Sequence, residues 1–578
     1  MSESSDAHTA NGYSRLSPLH ASADAIPLLV DWTYHLFHLT TPPNTTHHPA
    51  RLRSSWTRLR SNDLQTWTRD AEPAITPGKN ASDPDADGAW TGSAVIGPDD
   101  TMHIFYTGYN LSQAGRQVIL HARSTDKHGT RFSKDAAPIT ITSPPSHRAA
   151  FEAIDFRDPF ISWHAPTAHF WMLVATRLAH GPYWTRGCLA LLTSADLSAW
   201  SLDPTPFYAP NDLLCPECPE LFALPNGKWY LVYSRFAAPH AGTVYRVGDS
   251  ARGPFRIPRD GSSGLLDGRR WYAAKSFAQR GRPDRRVFFV WTGDWCRADA
   301  KWLWGGDLAL PREVWAADDG SLRIEPVPEA LDALLERRAE ERVGWSWSVP
   351  ASLRLSGVGT TATRFLDLPC PLAQPLAQPY LVSFAISRPN ANTTPASFGI
   401  LLRTSPSSLR GHRIVFRPLP TLVSDSPALF SVTLQTDIPP LDDFWADQYC
   451  LYVARGVDGP EIVRHDAVAL FEEKRGQAEK KAVVRLLVTG DVLQCFVGGR
   501  AITFRLPPLQ TRRRRGAGEG KDGKEEGVDS VDGVVDGEED GVVDGAVDGE
   551  VDGEEDEVRE IGFFVQDGEV LFEDLTIR

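Results

Sequence analysis

The chain has 578 residues, 42% of them hydrophobic and 23% charged, with a formal net charge of -14. That length exceeds one ordinary core and predicts two or more domains of a globular protein. The acidic balance excludes a nucleic-acid partner, which needs a basic surface, and no stretch approaches the roughly 20 apolar residues that span a bilayer.

Residues 1–16 read as a disordered tail. They lack a basic segment followed by an apolar run, so a secretory signal is not expected. A cytoplasmic location follows as the expectation, or an extracellular one if the N-terminus is incomplete.

Residues 17–325 read as short strands broken by turns, with no long amphipathic helix between them. TYHLFHL at 33–39, MHIFYTGY at 102–109, HFWMLVAT at 169–176, KWYLVYS at 228–234 and RVFFVWTG at 286–293 are rich in aromatic and β-branched residues. An internal echo joins two of these clusters: Ser61 to Trp67 and Ser194 to Trp200 share the pattern S-x-D-L-x-x-W. Recurring strand clusters with a repeated aromatic motif are the signature of propeller blades, and their spacing fits about five.

Residues 326–344 predict a helical linker, with Leu331, Leu334 and Leu335 on one face. From 345 to 578 the alternation and turn signals predict a β-sandwich. A segment at about 510–557 interrupts it with Gly, Asp, Glu and Val repeats that cannot bury enough apolar surface to offset chain entropy. The repeats lack the ligand spacing of a calcium loop. The fold class is therefore all-β, a five-bladed propeller followed by a C-terminal sandwich.

Seven scattered cysteines argue against a disulfide framework and for reduced, mostly buried thiols. Cys215 and Cys218 form a C-x-x-C, but no second pair completes a zinc site, so no metal is expected there.

Three carboxylates sit where chemistry could be done. Asp24 lies in Ser22-Ala-Asp-Ala-Ile-Pro27, ahead of a strand carrying Tyr34-His-Leu-Phe37. Asp158 lies in Phe156-Arg-Asp-Pro-Phe160, and Glu217 in Cys215-Pro-Glu-Cys-Pro-Glu-Leu-Phe222. Retaining hydrolysis of a glycosidic bond needs a carboxylate nucleophile and a carboxylic acid about 5 Å apart. Each residue also has a plainer reading. An Asp before Pro is a turn former, Glu217 fits a buried structural acid, Arg157 an ion-pair partner, and Glu220 a surface cap or pair.

R-D-P-F and E-C-P-x-L-F resemble the second and third motifs of glycoside hydrolase family 32, the invertases, inulinases and levanases. Trp90-Thr-Gly-Ser-Ala94 resembles the family's aromatic-[ST]-G-S segment, and Phe105-Tyr-Thr-Gly108 its following strand. Tyr272 to Phe277, Trp304 to Glu313 and the closing IGFFVQDGEVLFEDL resemble its later signals. Any one motif is weak; their order and spacing carry the resemblance from about residue 17 onward.

The resemblance implies a retaining β-fructosidase that releases fructose from sucrose or fructans, with a sugar or oligosaccharide as partner and no cofactor. It implies Asp24 as nucleophile, Glu217 as acid/base with a raised pKa, and Asp158 as transition-state stabiliser oriented by Arg157. Trp90, Thr91, Arg157 and Trp304 become substrate-binding candidates. One departure stands out: the family's W-[MI]-N-D-P-N-G is replaced by S-A-D-A-I-P, which leaves Asp31, in Val30-Asp-Trp-Thr33, as a rival nucleophile. The alternatives are an arabinofuranosidase or xylosidase on the same propeller, and a sugar-binding protein without catalysis.

Overall fold

The computed structural model describes residues 13–17, 19–43, 53–236, 241–296, 301–336, 350–366, 379–387, 395–406, 409–420, 429–436, 461–472, 480–506 and 559–578. The acidic repeats at 510–557, residues 337–344 of the linker and residues 1–12 of the tail lie outside this set.

Five antiparallel blades surround one axis. Their innermost strands are Ser22–Val30, Gly88–Ile96, Phe151–His164, Glu217–Ala223 and Tyr272–Gln279. Each pairs with the next strand outward: Thr33–Thr40, Met102–Asn110, His169–Leu178, Trp229–Arg235 and Arg282–Cys296. These second strands contain the five aromatic-rich runs. Four of them are buried almost end to end, because both faces of a blade pack against neighbours. The strand Lys301–Leu308 closes the ring, pairing with Arg282–Cys296 and meeting the first blade at Ser22–Gly306.

The sequence echo proves to be one turn used twice. It joins the third and fourth strands of the first blade and of the third. In each copy the serine hydroxyl caps the leucine N–H, Leu64 to Ser61 and Leu197 to Ser194, both at 2.9 Å. Both leucines adopt positive φ, 62° and 69°, and tuck their side chains under the blade. The fixed spacing of S-x-D-L-x-x-W is set by this cap and by Trp67 and Trp200, which are buried.

Among the described residues the sandwich has two six-stranded sheets. The last two strands, Arg559–Gln566 and Glu569–Ile577, go one to each sheet. The helix Pro328–Glu336 lays Leu331 and Leu335 against Leu381 and Leu487 of the sandwich. Propeller and sandwich share one core in which Phe288, Val314 and Ile324 meet Phe496 and Ala501. A buried ion pair, Arg312 with Asp267, is tied across the boundary by the Thr503 N–H and hydroxyl, both 2.6 Å from Asp267.

The N-terminal expectation needs correcting. Residues 13–16 are not tail but a strap on the fifth blade. The Tyr13 hydroxyl donates to the Ala309 carbonyl at 2.9 Å, and Arg15 pairs with Asp294 at 2.8 Å and with Asp307. Arg505 of the sandwich joins the same two aspartates, so charge complementarity pins the strap from both domains.

Candidate active site

All five inner strands break register at the same level of the axis. The irregularity falls between Ala23 and Ala25, Trp90 and Gly92, Arg157 and Phe160, Glu217 and Glu220, and Tyr272 and Lys275. A bulge leaves its extra residue outside the ladder and re-aims the side chain. Here the displaced residues include Asp24, Thr91, Asp158 and Cys218. Asp158, Cys218 and Ala273 hold positive φ of 55°, 49° and 57°, which for residues with a Cβ needs support from neighbours.

The bulges deliver Asp24, Asp158 and Glu217 to one small cavity of about 60 Å³. Trp90, Thr91, Arg157 and Trp304 line it as well, so every site residue expected from the sequence converges there. Four more lining residues were not singled out for the site: Leu39, Cys218, Tyr272 and Trp291. Tyr272 and Cys218 sat inside recognised motifs and Trp291 inside a strand run, but nothing in the pattern distinguished them from structural positions. Asp31 is excluded from the site. It is exposed, with φ of 51°, in the turn at the other end of the first inner strand.

Asp24 is gripped on both oxygens. The Trp291 indole donates to Oδ1 at 2.7 Å and the Thr91 hydroxyl donates to Oδ2. Burial pushes its pKa up to about 6, opposed by the Thr91 bond and assisted by the charge of Asp158.

Glu217 accepts from Arg157 Nη2 at 2.7 Å on Oε1 and from the Tyr272 hydroxyl on Oε2. Burial raises its pKa, against the pull of the Arg157 charge and with help from Asp158. Asp158 is 5% exposed and accepts the Cys218 backbone N–H at 3.0 Å.

Three expectations change in detail. Arg157 orients Glu217 rather than Asp158: its nearest approach to Asp158 is 3.8 Å, while it bonds Glu217, Asp155 and Gln117. The Thr91 hydroxyl is committed to Asp24 and is not available as a free substrate donor. Glu220 is no surface cap. It is fully buried and accepts Ser276 N–H, Ser276 Oγ and Arg286.

The two tryptophans sit as walls. Trp90 stacks on Tyr109 with centroids 4.0 Å apart, and Trp304 tilts against Trp291 at 5.9 Å. Cys215 and Cys218 are buried free thiols with different surroundings. The first approaches the Thr176 carbonyl at 3.8 Å, the second Asp158 at 3.7 Å and Asp24 at 3.9 Å.

Three carboxylates held by fixed donors thus meet at the axis of a five-bladed propeller. The comparisons with known proteins give the family. The Glycosyl hydrolases family 32 N-terminal domain matches residues 26–326, beginning two residues after Asp24. The chain is 30% identical over 298 residues to a fructan 1-exohydrolase of Hordeum vulgare, covering 48% of each chain. It is 25% identical over 328 residues to the beta-fructofuranosidase, insoluble isoenzyme CWINV1, of Arabidopsis thaliana, covering 52% of this chain and 53% of that one. The matches thus span about half the length of these relatives.

In structure it resembles fructan 1-exohydrolase IIa from Cichorium intybus with a TM-score of 0.60 at 18% identity, covering 99% of this chain and 98% of that one. Exo-inulinase from Aspergillus awamori gives a TM-score of 0.60 at 17% identity over 99% of both chains. The chain belongs to glycoside hydrolase family 32.

Proposed function

We propose that this protein is a retaining β-fructofuranosidase that releases fructose from sucrose or fructans. The observation that carries the reading is the convergence of Asp24, Asp158 and Glu217 on one cavity, with the donors that each role requires. The names of the relatives, fructan 1-exohydrolase and beta-fructofuranosidase, support the substrate class.

The chemistry follows from the groups in place. Asp24, ionised above about pH 6 and steadied by Thr91 and Trp291, attacks the anomeric C2 of the fructosyl unit. Glu217, whose pKa burial raises, gives its proton to the leaving oxygen as the C2–O bond breaks. The covalent fructosyl–Asp24 ester is then cleaved by water, from which Glu217 takes a proton, so the configuration at C2 is retained. Asp158, buried beside both, binds fructose hydroxyls and stabilises the positive charge of the flattened ring. Arg157 and Tyr272 keep the Glu217 carboxyl aligned through both steps.

The testing experiment is a digest of sucrose, inulin, levan and an arabinofuranoside by wild type and Glu217→Gln, with the anomer of first-released fructose followed by NMR. Release of β-fructofuranose by wild type, with turnover reduced about 10²- to 10⁴-fold in Glu217→Gln, supports the reading. Inverted product, or cleavage of an arabinofuranoside but no fructoside, sinks it.

A further inference from the structure

One side chain outside the cavity connects two of the three carboxylates. Thr107 lies on the second strand of the second blade, fully buried, directly across from Trp90. The bulge beside Trp90 displaces Thr91 from the ladder. The Thr107 hydroxyl donates to that carbonyl at 2.9 Å. The same oxygen accepts the backbone N–H of Asp158 from the neighbouring blade, also at 2.9 Å. Asp158 is the residue held at φ of 55°, a conformation that persists only where its surroundings enforce it.

A directed chain results. Asp158 N–H donates to Thr107 Oγ1, Thr107 O–H donates to the Thr91 carbonyl, and Thr91 O–H donates to the Asp24 carboxylate. Lys275 fastens the next link of the bulge by donating to the Gly92 carbonyl at 2.9 Å. Each hydroxyl has one proton to give, so the direction of the chain is fixed once the Asp158 N–H occupies a Thr107 lone pair.

We infer that Thr107 is a positioning residue that sets the geometry of Asp24 and Asp158 together through one hydroxyl. A methyl-for-hydroxyl exchange would free the Asp158 N–H and the Thr91 carbonyl at once, loosening two bulges on adjacent blades. The inference rests on the proposed roles of Asp24 and Asp158. The groups facing Asp24 are Thr91, the Trp291 indole, the Cys218 thiol and the charges of Asp158 and Glu217; Arg157 and Tyr272 act on Glu217. Because the Thr91 bond favours ionised Asp24, losing its alignment should move the Asp24 pKa upward.

The test compares wild type, Thr107→Val and Thr107→Ser on sucrose across the acid limb of the pH profile, with folding checked by circular dichroism. The expected result is a kcat loss on the order of 10²-fold in Thr107→Val, a smaller change in KM, and an acid limb displaced to higher pH. Thr107→Ser, which keeps the hydroxyl, should restore both readouts. A folded Thr107→Val with wild-type kcat and limb overturns the inference. So does a Thr107→Ser as impaired as the valine variant, which would make the methyl the important part.

If Thr107→Val fails to fold, Thr107→Cys, of similar size and weak hydrogen bonding, carries the same expectation. If wild type itself releases no fructose, the proposed function has failed. The relay is then judged by titrating Asp24 in infrared difference spectra against Asp24→Asn counterparts. A carboxyl titrating higher in the valine variant alone upholds the relay, and an unshifted one overturns it.

Discussion

Glu217 and Glu220 lie three residues apart on one inner strand, and the fold uses them in opposite ways. Glu217 stands at the bulged end, partly exposed to a cavity, with two donors and a raised pKa. Glu220 stands beyond the bulge, fully buried, saturated by Ser276 and paired with Arg286 at 2.7 Å. The contrast repeats around the axis. At one end every inner strand breaks register and presents polar or aromatic groups. At the other the strands line a cavity of about 520 Å³ with residues such as Ile26, Leu28, Val95, Ile161 and Phe277. The carboxylates of the small cavity stand where the ladders are interrupted, whereas Glu220, beside the larger cavity, is saturated by its own partners. The same group on the regular part of the strand serves the packing.

Substitutions can break that comparison. The largest effect is expected at Asp24→Asn, with turnover falling on the order of 10⁴-fold while the circular dichroism spectrum stays that of wild type. An Asp24→Asn protein that retained wild-type kcat would remove the reactive end from the contrast.

Next comes Glu220→Gln. It leaves Arg286 buried without its counter-charge, and should lower stability by about 3–5 kcal/mol, read as a fall in Tm. Turnover per folded molecule should stay near wild type. A Glu220 variant with normal Tm and lost turnover would reverse the assignments of the two acids.

Asp24→Asn also sharpens the contrast through stability. The carboxyl titrates at about 6 in the folded chain and at about 3.9 unfolded. Between these values the folded state holds more protons, so its stability falls as pH rises through that window. Above it the ionised Asp24 costs on the order of 2–3 kcal/mol. Asp24→Asn should therefore melt higher than wild type at neutral pH, and the gain should disappear below about pH 4. An equal difference at both pH values would show that the charge carries no such cost.

Tyr272→Phe is expected to have a smaller effect. It removes a donor that favours ionised Glu217, so the Glu217 pKa rises further and the basic limb of the pH profile moves up. A kcat loss of roughly tenfold, about 1.4 kcal/mol, should accompany it. A basic limb that moved down would contradict the hydrogen bond. The smallest effect belongs to Asp31→Asn. Asn tolerates the positive φ of that exposed turn, and kcat should stay within about twofold, well under 1 kcal/mol.

Much of the fold could be read from the chain. Five aromatic-rich runs are the second strands of five blades, because a strand sandwiched between neighbouring blades must be apolar on both faces. The S-x-D-L-x-x-W echo is a local hydrogen-bonded turn whose partners are three residues apart, and local chemistry of that kind is visible in sequence. The leucine face of the helix at Pro328–Glu336 followed from period alone. Asp24, Asp158 and Glu217, singled out by motif order, line one cavity.

What tertiary structure decided is how those residues are joined. Arg157 bonds Glu217 from 60 positions away, Trp291 reaches Asp24 across 267, and Thr107 ties Thr91 to Asp158 between blades. A sequence prescribes short-range turns and the faces of strands, since their partners lie a few residues apart. It does not display which bulge will face which, because that geometry exists only once five twisted blades close on a common axis. The buried role of Glu220 was hidden for the same reason: its cation, Arg286, comes from another blade and meets it only in the closed ring.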